Sequence, residues 1–541
     1  VDQLFAQWNK PDSPGCALAV LQNGRIVYEH GYGMADLEHD APITPTTPFH
    51  VASLSKQFTA AAVLLLAEQG KLSLDDDVRK YIPELPDFAV TIRIRHLLRH
   101  TSGLPEQWGL LQLAGWRYST DLITDADIMG LVTKLKDLNF LPGSEYLYSN
   151  TGFTVLGQIV KRVSGQSLRR FTTRNIFEPL QMKSTHFRDD HTEIIRAEAL
   201  GYVPTEENNT FRLAVTNFDT VGAASLYSTA EDLAKWDENF YSPKIGGPDF
   251  ARKMTQTEKL TSGETNPYAL GLEISNYRGL PTVEHSGTDL GYRSNIIRFP
   301  QQHFSVVCLC NTTANPTMLN RRVADLYLAA NLKEVAPATA NEEDSMRLSP
   351  EKLAGKDGFY RLQNGGLVMR IVSENGMLQV AEDEERRPLI ADHEGHFLLP
   401  SVGLPSVIRF EPAEGRAQQL LIESLIDPQQ IWDRLPEFTL RSGEEGEYAG
   451  TYFSDELDAV YRVENKGGNL ALKRFKYPSQ ALTPVIRDLF SFRLDPPSQV
   501  GVIEFMRNSS GHLSGMTLTT RRVRHLKFSR QRQDSQAPAA R

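Results

Sequence analysis

The chain has 541 residues, 40% hydrophobic and 23% charged, with a formal net charge of −9. This is the composition of a globular protein with ample core, long enough for three or four domains or for fewer large ones. The mild acidic balance and the absence of a basic stripe exclude a nucleic-acid or anionic-membrane binder, and the longest apolar run, Phe58 to Ala67, falls short of the roughly twenty residues a membrane-spanning helix needs.

The chain begins at Val1 rather than at methionine, which leaves room for an upstream segment, such as a signal peptide, that has been removed. "CALAVLQNGRIVYEHGYG" (16–33) holds two strand-like runs around Gln22-Asn23-Gly24, and Asn-Gly is a strong hairpin signal. Cys16, Cys308 and Cys310 have neither a disulfide framework nor metal-ligand spacing. In apolar runs such as "FSVVCLC" they read as buried, inert thiols.

"PFHVASLSKQFTAAAVLLLAEQG" (48–70) places Ser53 and Lys56 three apart at the front of a predicted helix over 54–69. Residues three apart share a helix face, so Nζ can reach Oγ. The run is apolar on every side, so the helix is expected to be buried. A lysine in its first turn loses hydration and meets the positive end of the helix dipole, and both effects favour the neutral amine. A neutral lysine beside a serine is a general base beside a nucleophile. Ser-x-x-Lys also arises by chance, and Ser349 and Lys352 fit it too, so context must decide.

His96 and His100, four apart, have the spacing of a metal pair. They stand among Arg93, Arg95 and Arg99 with no nearby carboxylate, which favours a structural turn. Trp108 and Trp116 read equally as cleft lining or as packing. Farther on come Tyr148-Ser149-Asn150 before a helix over 151–164, then three strand-like runs, "TVEHSG", "YRSNIIRF" and "FSVVCLC", and a helix "MLNRRVADLYLAANL". Strands at both ends with helices between predict one sheet built from both ends of a domain spanning 1–332.

Residues 333–350, rich in Pro, Ala, Glu and Asn, read as a linker. Beyond it lies a repeat: "LAGKDGFYRL" from 353 matches "YAGTYFSDEL" from 448, "VMRIVSENGMLQV" from 368 matches "VYRVENKGGNLAL" from 460, and "VIRF" from 407 matches "VIEF" from 502. Two copies of one β-barrel domain, 351–436 and 445–530, are expected, followed by a disordered tail over 531–541.

Ser53-x-x-Lys56, Tyr148-Ser149-Asn150 and His285-Ser286-Gly287, in this order, resemble the serine β-lactamase and penicillin-binding-protein superfamily. The likeness is greatest to its class C-like branch of D-aminopeptidases, DD-peptidases and esterases. "HLLRHTSGLP", "YSNTGF", "IFEPLQM" and "SLYSTAEDLAKW" support the resemblance, which covers about 1–332.

The resemblance implies an α/β (α+β) catalytic domain, an antiparallel sheet flanked by helices, followed by two eight-stranded lipocalin-like barrels. It implies a cofactor-free and metal-free hydrolase in which Ser53 forms an acyl-enzyme while Lys56 and Tyr148 share the acid–base work. Asn150 would hold Lys56 and the substrate carbonyl, and the N–H groups of Ser53 and Thr288 would form the oxyanion hole. His285, Ser286, Gly287 and Thr288 would line the substrate strand, with Gly287 allowing substrate backbone close approach.

His285 stands where the β-lactamases of this branch carry lysine. A weaker cation there turns the expectation from β-lactams toward peptides or amides with D-amino acids, with an esterase, a β-lactamase and a slow penicillin-binding sensor as alternatives. Arg293 could restore the charge or be a surface residue. His393-Glu394-Gly395 also fits His-x-Gly and reads as a turn.

By the same resemblance a loop of the second barrel, 475–488, would narrow the cleft. Dimerisation, or a cell-wall ligand for the barrels, stays open beside it. The partners expected are a small-molecule or peptide substrate, cell-wall-derived, and β-lactams as acylating ligands. A periplasmic or secreted location fits such substrates; a cytoplasmic one is the alternative.

Overall fold

The computed structural model describes residues 1–207, 210–333, 353–382, 385–391, 396–399, 406–413, 415–423, 429–494 and 499–531. The expected linker from 334 on, the second Ser-x-x-Lys at 349–352, His393-Glu394-Gly395 and the tail from 532 lie outside the described residues. The chain divides into two compact units. One holds Val1–Leu104, Tyr118–Thr133 and the described residues from Phe140 to Lys333; the other holds Pro105–Arg117, Lys134–Asn139 and the described residues from Leu353 on. Among the described residues no helix is long and apolar enough to cross a membrane.

The first unit is built on a six-stranded antiparallel sheet of β1 (Cys16–Gln22), β2 (Arg25–Tyr32), β3 (Glu273–Tyr277), β4 (Leu280–Asp289), β5 (Tyr292–Phe299) and β6 (Phe304–Cys310), in the order β3-β4-β5-β6-β1-β2. Both ends of the domain do contribute to one sheet. The β1–β2 turn takes positive φ at Asn23 (51°) and Gly24 (74°), the conformation for which Asn-Gly is suited.

Alternation sorts the strand residues. Cys16, Leu18, Val20, Val306 and Cys308 pack with Leu319 and Val323 of the helix α4 (Pro316–Tyr327), while the opposite face is covered by helices that include α3 (Ala230–Glu238). Beneath the sheet α1 (Ser55–Glu68) packs on α2 (Asn150–Ser164). As expected, α1 is buried almost all round, with Gln57 and Thr59 at 0% exposure. Gln57 is tolerated because its Oε1 accepts from Trp236 Nε1 at 3.0 Å.

The expectation of three inert thiols is corrected. Antiparallel register sets Cys16 directly opposite Cys310, and their sulfurs form a disulfide between β1 and β6. Two cysteines 294 positions apart give no pairing signal in sequence; the sheet register supplies it. Cys308 alone remains a buried thiol, and burial pushes its pKa up.

The second unit contains two nine-stranded antiparallel sheets, each running in chain order around a nearly closed barrel. Eight strands per barrel were expected. The ninth arises because one strand breaks in two at a buried leucine: Leu389 separates Glu385–Pro388 from Ile390–Ala391, and Leu482 separates Gln480–Ala481 from Thr483–Ile486. Each leucine N–H still donates to the neighbouring strand, at Leu378 O and Leu470 O.

The repeat extends to single side chains. Tyr360 donates to Lys356 O and packs on Phe410, while Tyr452 donates to Tyr448 O and packs on Phe505. Pro105–Arg117 joins the second barrel through Tyr461 OH to Leu113 O (2.7 Å) and Tyr477 OH to Trp116 O (2.6 Å). Trp108 and Trp116 therefore lie in a segment of the second unit.

Candidate active site

Ser53 sits in a tight turn, Ala52–Leu54, that leads into α1. Ala52 has φ +48°, a left-handed conformation costly for a residue with a Cβ. Surrounding bonds hold it. Val51 N–H donates to Leu226 O (2.9 Å), Ser294 Oγ donates to Val51 O (2.8 Å), and Ser55 Oγ both donates to Ala52 O and accepts from Leu226 N–H.

Lys56 is fully buried. Its Nζ lies 3.0 Å from Ser53 Oγ, 2.8 Å from Asn150 Oδ1 and 2.7 Å from Ala223 O. The last two atoms can only accept. They can take two N–H bonds of a neutral amine and leave its lone pair for the serine proton, and the same three positions accommodate an ammonium. Ala223 carries no side-chain signal, so nothing in the sequence marks its carbonyl as part of the site.

Tyr148 is half-buried, its ring centroid 4.9 Å from Lys56 Nζ and 6.3 Å from the His285 ring. Ser53, Lys56, Tyr148 and Asn150 are thus brought together from α1 and the start of α2.

β4 completes the site, and here several expectations change. Its pairing with β3 ends at Glu284, and beyond that Ser286 and Thr288 are exposed while His285 and Gly287 are buried. A Cβ on Gly287 would run into Ser294 Oγ and Val51 O and would stand 3.1 Å from Ser53 N. A side chain at 287 is excluded because Ser294 Oγ and the turn that carries Ser53 lie against the glycine.

His285 was expected to be a weak cation. It is 1% exposed, its Nδ1 donates to Ser286 O (2.6 Å), and its Nε2 accepts from Tyr268 OH (2.8 Å). Burial first, and the Lys56 charge second, push its pKa down to about 3, so it is neutral near pH 7. Arg293 Nη1 donates to Leu290 O and Tyr292 O.

A second buried pair ties these elements together. His50 Nε2 accepts from Ser225 N–H (3.1 Å), and its Nδ1 faces Asp289 Oδ2 at 3.2 Å. Burial works against the Asp289 charge, yet His50, Tyr118 and Thr216 hold its carboxyl below the usual range. The start of the turn that carries Ser53, the end of β4 and the 223–225 loop are thereby joined.

His96 Nδ1 accepts from Arg93 N–H; burial, then Arg93, Arg95 and Arg99, lower its pKa to about 4. His100 packs on Tyr148.

An antiparallel sheet assembled from both ends of its domain, with a serine and a buried lysine at the head of a central helix, defines the class of this protein. The Beta-lactamase family model matches residues 1–330, and the chain belongs to that family.

Among its relatives, Protein flp of Staphylococcus aureus is 32% identical over 318 residues, 55% of this chain; the match spans 59% of flp's length. The D-aminopeptidase of Brucella anthropi is 24% identical over 547 residues, covering 96% of this chain and 95% of that protein. In fold, the chain is similar to the octameric penicillin-binding protein homologue from Pyrococcus abyssi, with TM-score 0.57, 24% identity and coverage of 80% of this chain and 98% of that one.

Proposed function

We propose that this protein is a cofactor-free serine hydrolase that works through an acyl-enzyme on peptides or amides containing D-amino acids, in the manner of a D-aminopeptidase or DD-peptidase. The observation that carries this reading is Lys56 Nζ, 3.0 Å from Ser53 Oγ and held from behind by Asn150 Oδ1 and Ala223 O.

In this reading Ser53 Oγ attacks the carbonyl carbon as its proton passes to Lys56. The N–H groups of Ser53 and Thr288 hold the oxyanion. Tyr148 relays the proton to the leaving amine. The Asn150 amide, its oxygen already on Lys56, offers Nδ2 to the substrate carbonyl. Water then attacks the Ser53 ester, with the same groups acting in reverse.

Two features support the substrate class. A neutral His285 supplies no charge to the carboxylate that a β-lactam presents. The D-aminopeptidase of Brucella anthropi is similar along nearly the whole chain, barrels included. The Cys16–Cys310 disulfide supports a periplasmic or secreted location, since such bonds persist in oxidising compartments.

The test is turnover of D- and L-alanine p-nitroanilides, p-nitrophenyl butyrate and nitrocefin by wild type and Ser53→Ala. Ser53-dependent cleavage of the D-anilide upholds the proposal. Cleavage of the ester with neither anilide touched makes the protein a carboxylesterase. Fast nitrocefin turnover makes it a β-lactamase, and turnover retained by Ser53→Ala overturns the acyl-enzyme mechanism itself.

A further inference from the structure

His100 is buried at 1% exposure and has φ +56°. Its contacts converge on one neighbour. Leu147 N–H donates to His100 O at 3.0 Å, and Ser149 N–H donates to His100 Nδ1 at 3.1 Å. The backbone is thus gripped immediately before and immediately after Tyr148. The imidazole also lies under the phenol, with ring centroids 4.1 Å apart, and its other sides meet Tyr268 (4.4 Å) and Phe153 (5.2 Å).

The clamp is itself anchored. Asn266 Nδ2 donates to Arg99 O (3.0 Å), and Asn266 Oδ1 accepts from Tyr268 N–H (3.1 Å). Tyr268 in turn donates to His285 on β4. A donor at Ser149 requires Nδ1 to be an acceptor, so the hydrogen of a neutral imidazole sits on Nε2.

From this geometry we infer that His100 is the positioning residue for Tyr148: it sets the height of the phenol over Lys56 by holding the backbone on both sides and the ring from below. The inference rests on the reading of Tyr148 as the acid–base partner of Ser53 and Lys56. Residue type follows from two demands made together. The left-handed backbone tolerates His, Asn or Gly better than most residues, and the Ser149 N–H needs an acceptor one side-chain bond beyond Cγ. Asparagine meets both demands; glycine meets only the first.

Comparison of His100→Asn with His100→Gly therefore isolates the acceptor, because backbone strain is relieved in both. Turnover is measured on whichever of the four substrates the wild type cleaves. In parallel, the ring of Tyr148 is followed by NMR in protein carrying ¹³Cζ-tyrosine, the signal being assigned with Tyr148→Phe. His100→Gly is expected to lower kcat about 100-fold with KM within about threefold, the scale of a misplaced catalytic group, and to shift or broaden the Tyr148 resonance. His100→Asn, which restores the acceptor but not the ring, is expected to stay within about tenfold of wild type and to shift the resonance less than His100→Gly does.

Turnover by His100→Gly within about threefold of wild type, or an unmoved Tyr148 resonance in that variant, overturns the inference. Should His100→Gly not fold, His100→Leu, which fills the space and lacks the acceptor, is judged by the same two readouts. Should the wild type cleave none of the four substrates, the proposed function fails, and the Tyr148 resonance alone then decides the positioning role.

Discussion

Gly287 and Val51 lie against each other: a Cβ on Gly287 would run into Val51 O and into the Ser294 hydroxyl. The same carbonyl accepts from Ser294 Oγ at 2.8 Å, so it cannot retreat without losing that bond. Gly287→Ala is expected to push the Val51–Ser53 turn off β4, lowering kcat at least about tenfold and destabilising the fold by about 1–3 kcal/mol, the usual cost of overpacking. Turnover together with thermal unfolding checks it. A fully active alanine variant would mean that the turn and strand move apart freely.

Lys56→Met keeps most of the volume and removes the amine. It leaves Asn150 Oδ1 and Ala223 O without their bonds to Nζ in a buried place, which costs about 1–3 kcal/mol per unsatisfied group. Acylation should fall by at least about 10²-fold, the range ascribed to a positioned base. Single-turnover measurement of the Ser53 adduct distinguishes this from slow deacylation.

Arg298 and Asp237 form an ion pair at 2.6 Å in which both side chains are at most 3% exposed, and the guanidinium also lies over Phe240. Arg298→Met strands a buried carboxylate and is expected to cost about 3–5 kcal/mol. Adding Asp237→Leu should recover much of that loss. Chemical unfolding of the two single variants and the double variant gives the coupling directly.

His285 and His96 make the fold acid-sensitive. Their native pKa values are lowered to about 3 and about 4 from 6.5, both mainly by burial. Above pH 6.5 both are neutral whether folded or unfolded, and their contribution is complete. As pH falls below 6.5 the unfolded chain binds protons that the folded chain refuses, so stability drops by up to about 1.4 kcal/mol per pH unit for each histidine. Denaturant midpoints at pH 7, 6 and 5 should fall steadily, and His96→Asn should flatten the slope by one proton.

Much of the site is readable along the chain because its chemistry is local. Ser53 and Lys56 are one helical turn apart, and their i, i+3 spacing alone brings Nζ to Oγ. Tyr148 and Asn150 share one helix entrance. Other members are invisible in a linear reading. Ala223 acts through its carbonyl, and Ala52 adopts a left-handed turn with no glycine to announce it. His100 reads as half of an unlikely metal pair until the fold turns its Nδ1 onto Ser149.

The same division holds for the whole molecule. Local periodicity, turn chemistry and the internal repeat suffice for the sheet's strands, the buried central helix and the paired barrels, because alternation, Asn-Gly turns and recurring blocks are properties of neighbouring residues. Tertiary structure alone decides that Cys16 meets Cys310, that burial lowers the pKa of His285, and that Gly287 lies against the turn that carries Ser53. A side chain's charge and partners depend on which distant segments desolvate it and which donors they bring, and those are fixed only when the sheet closes from both ends of its domain.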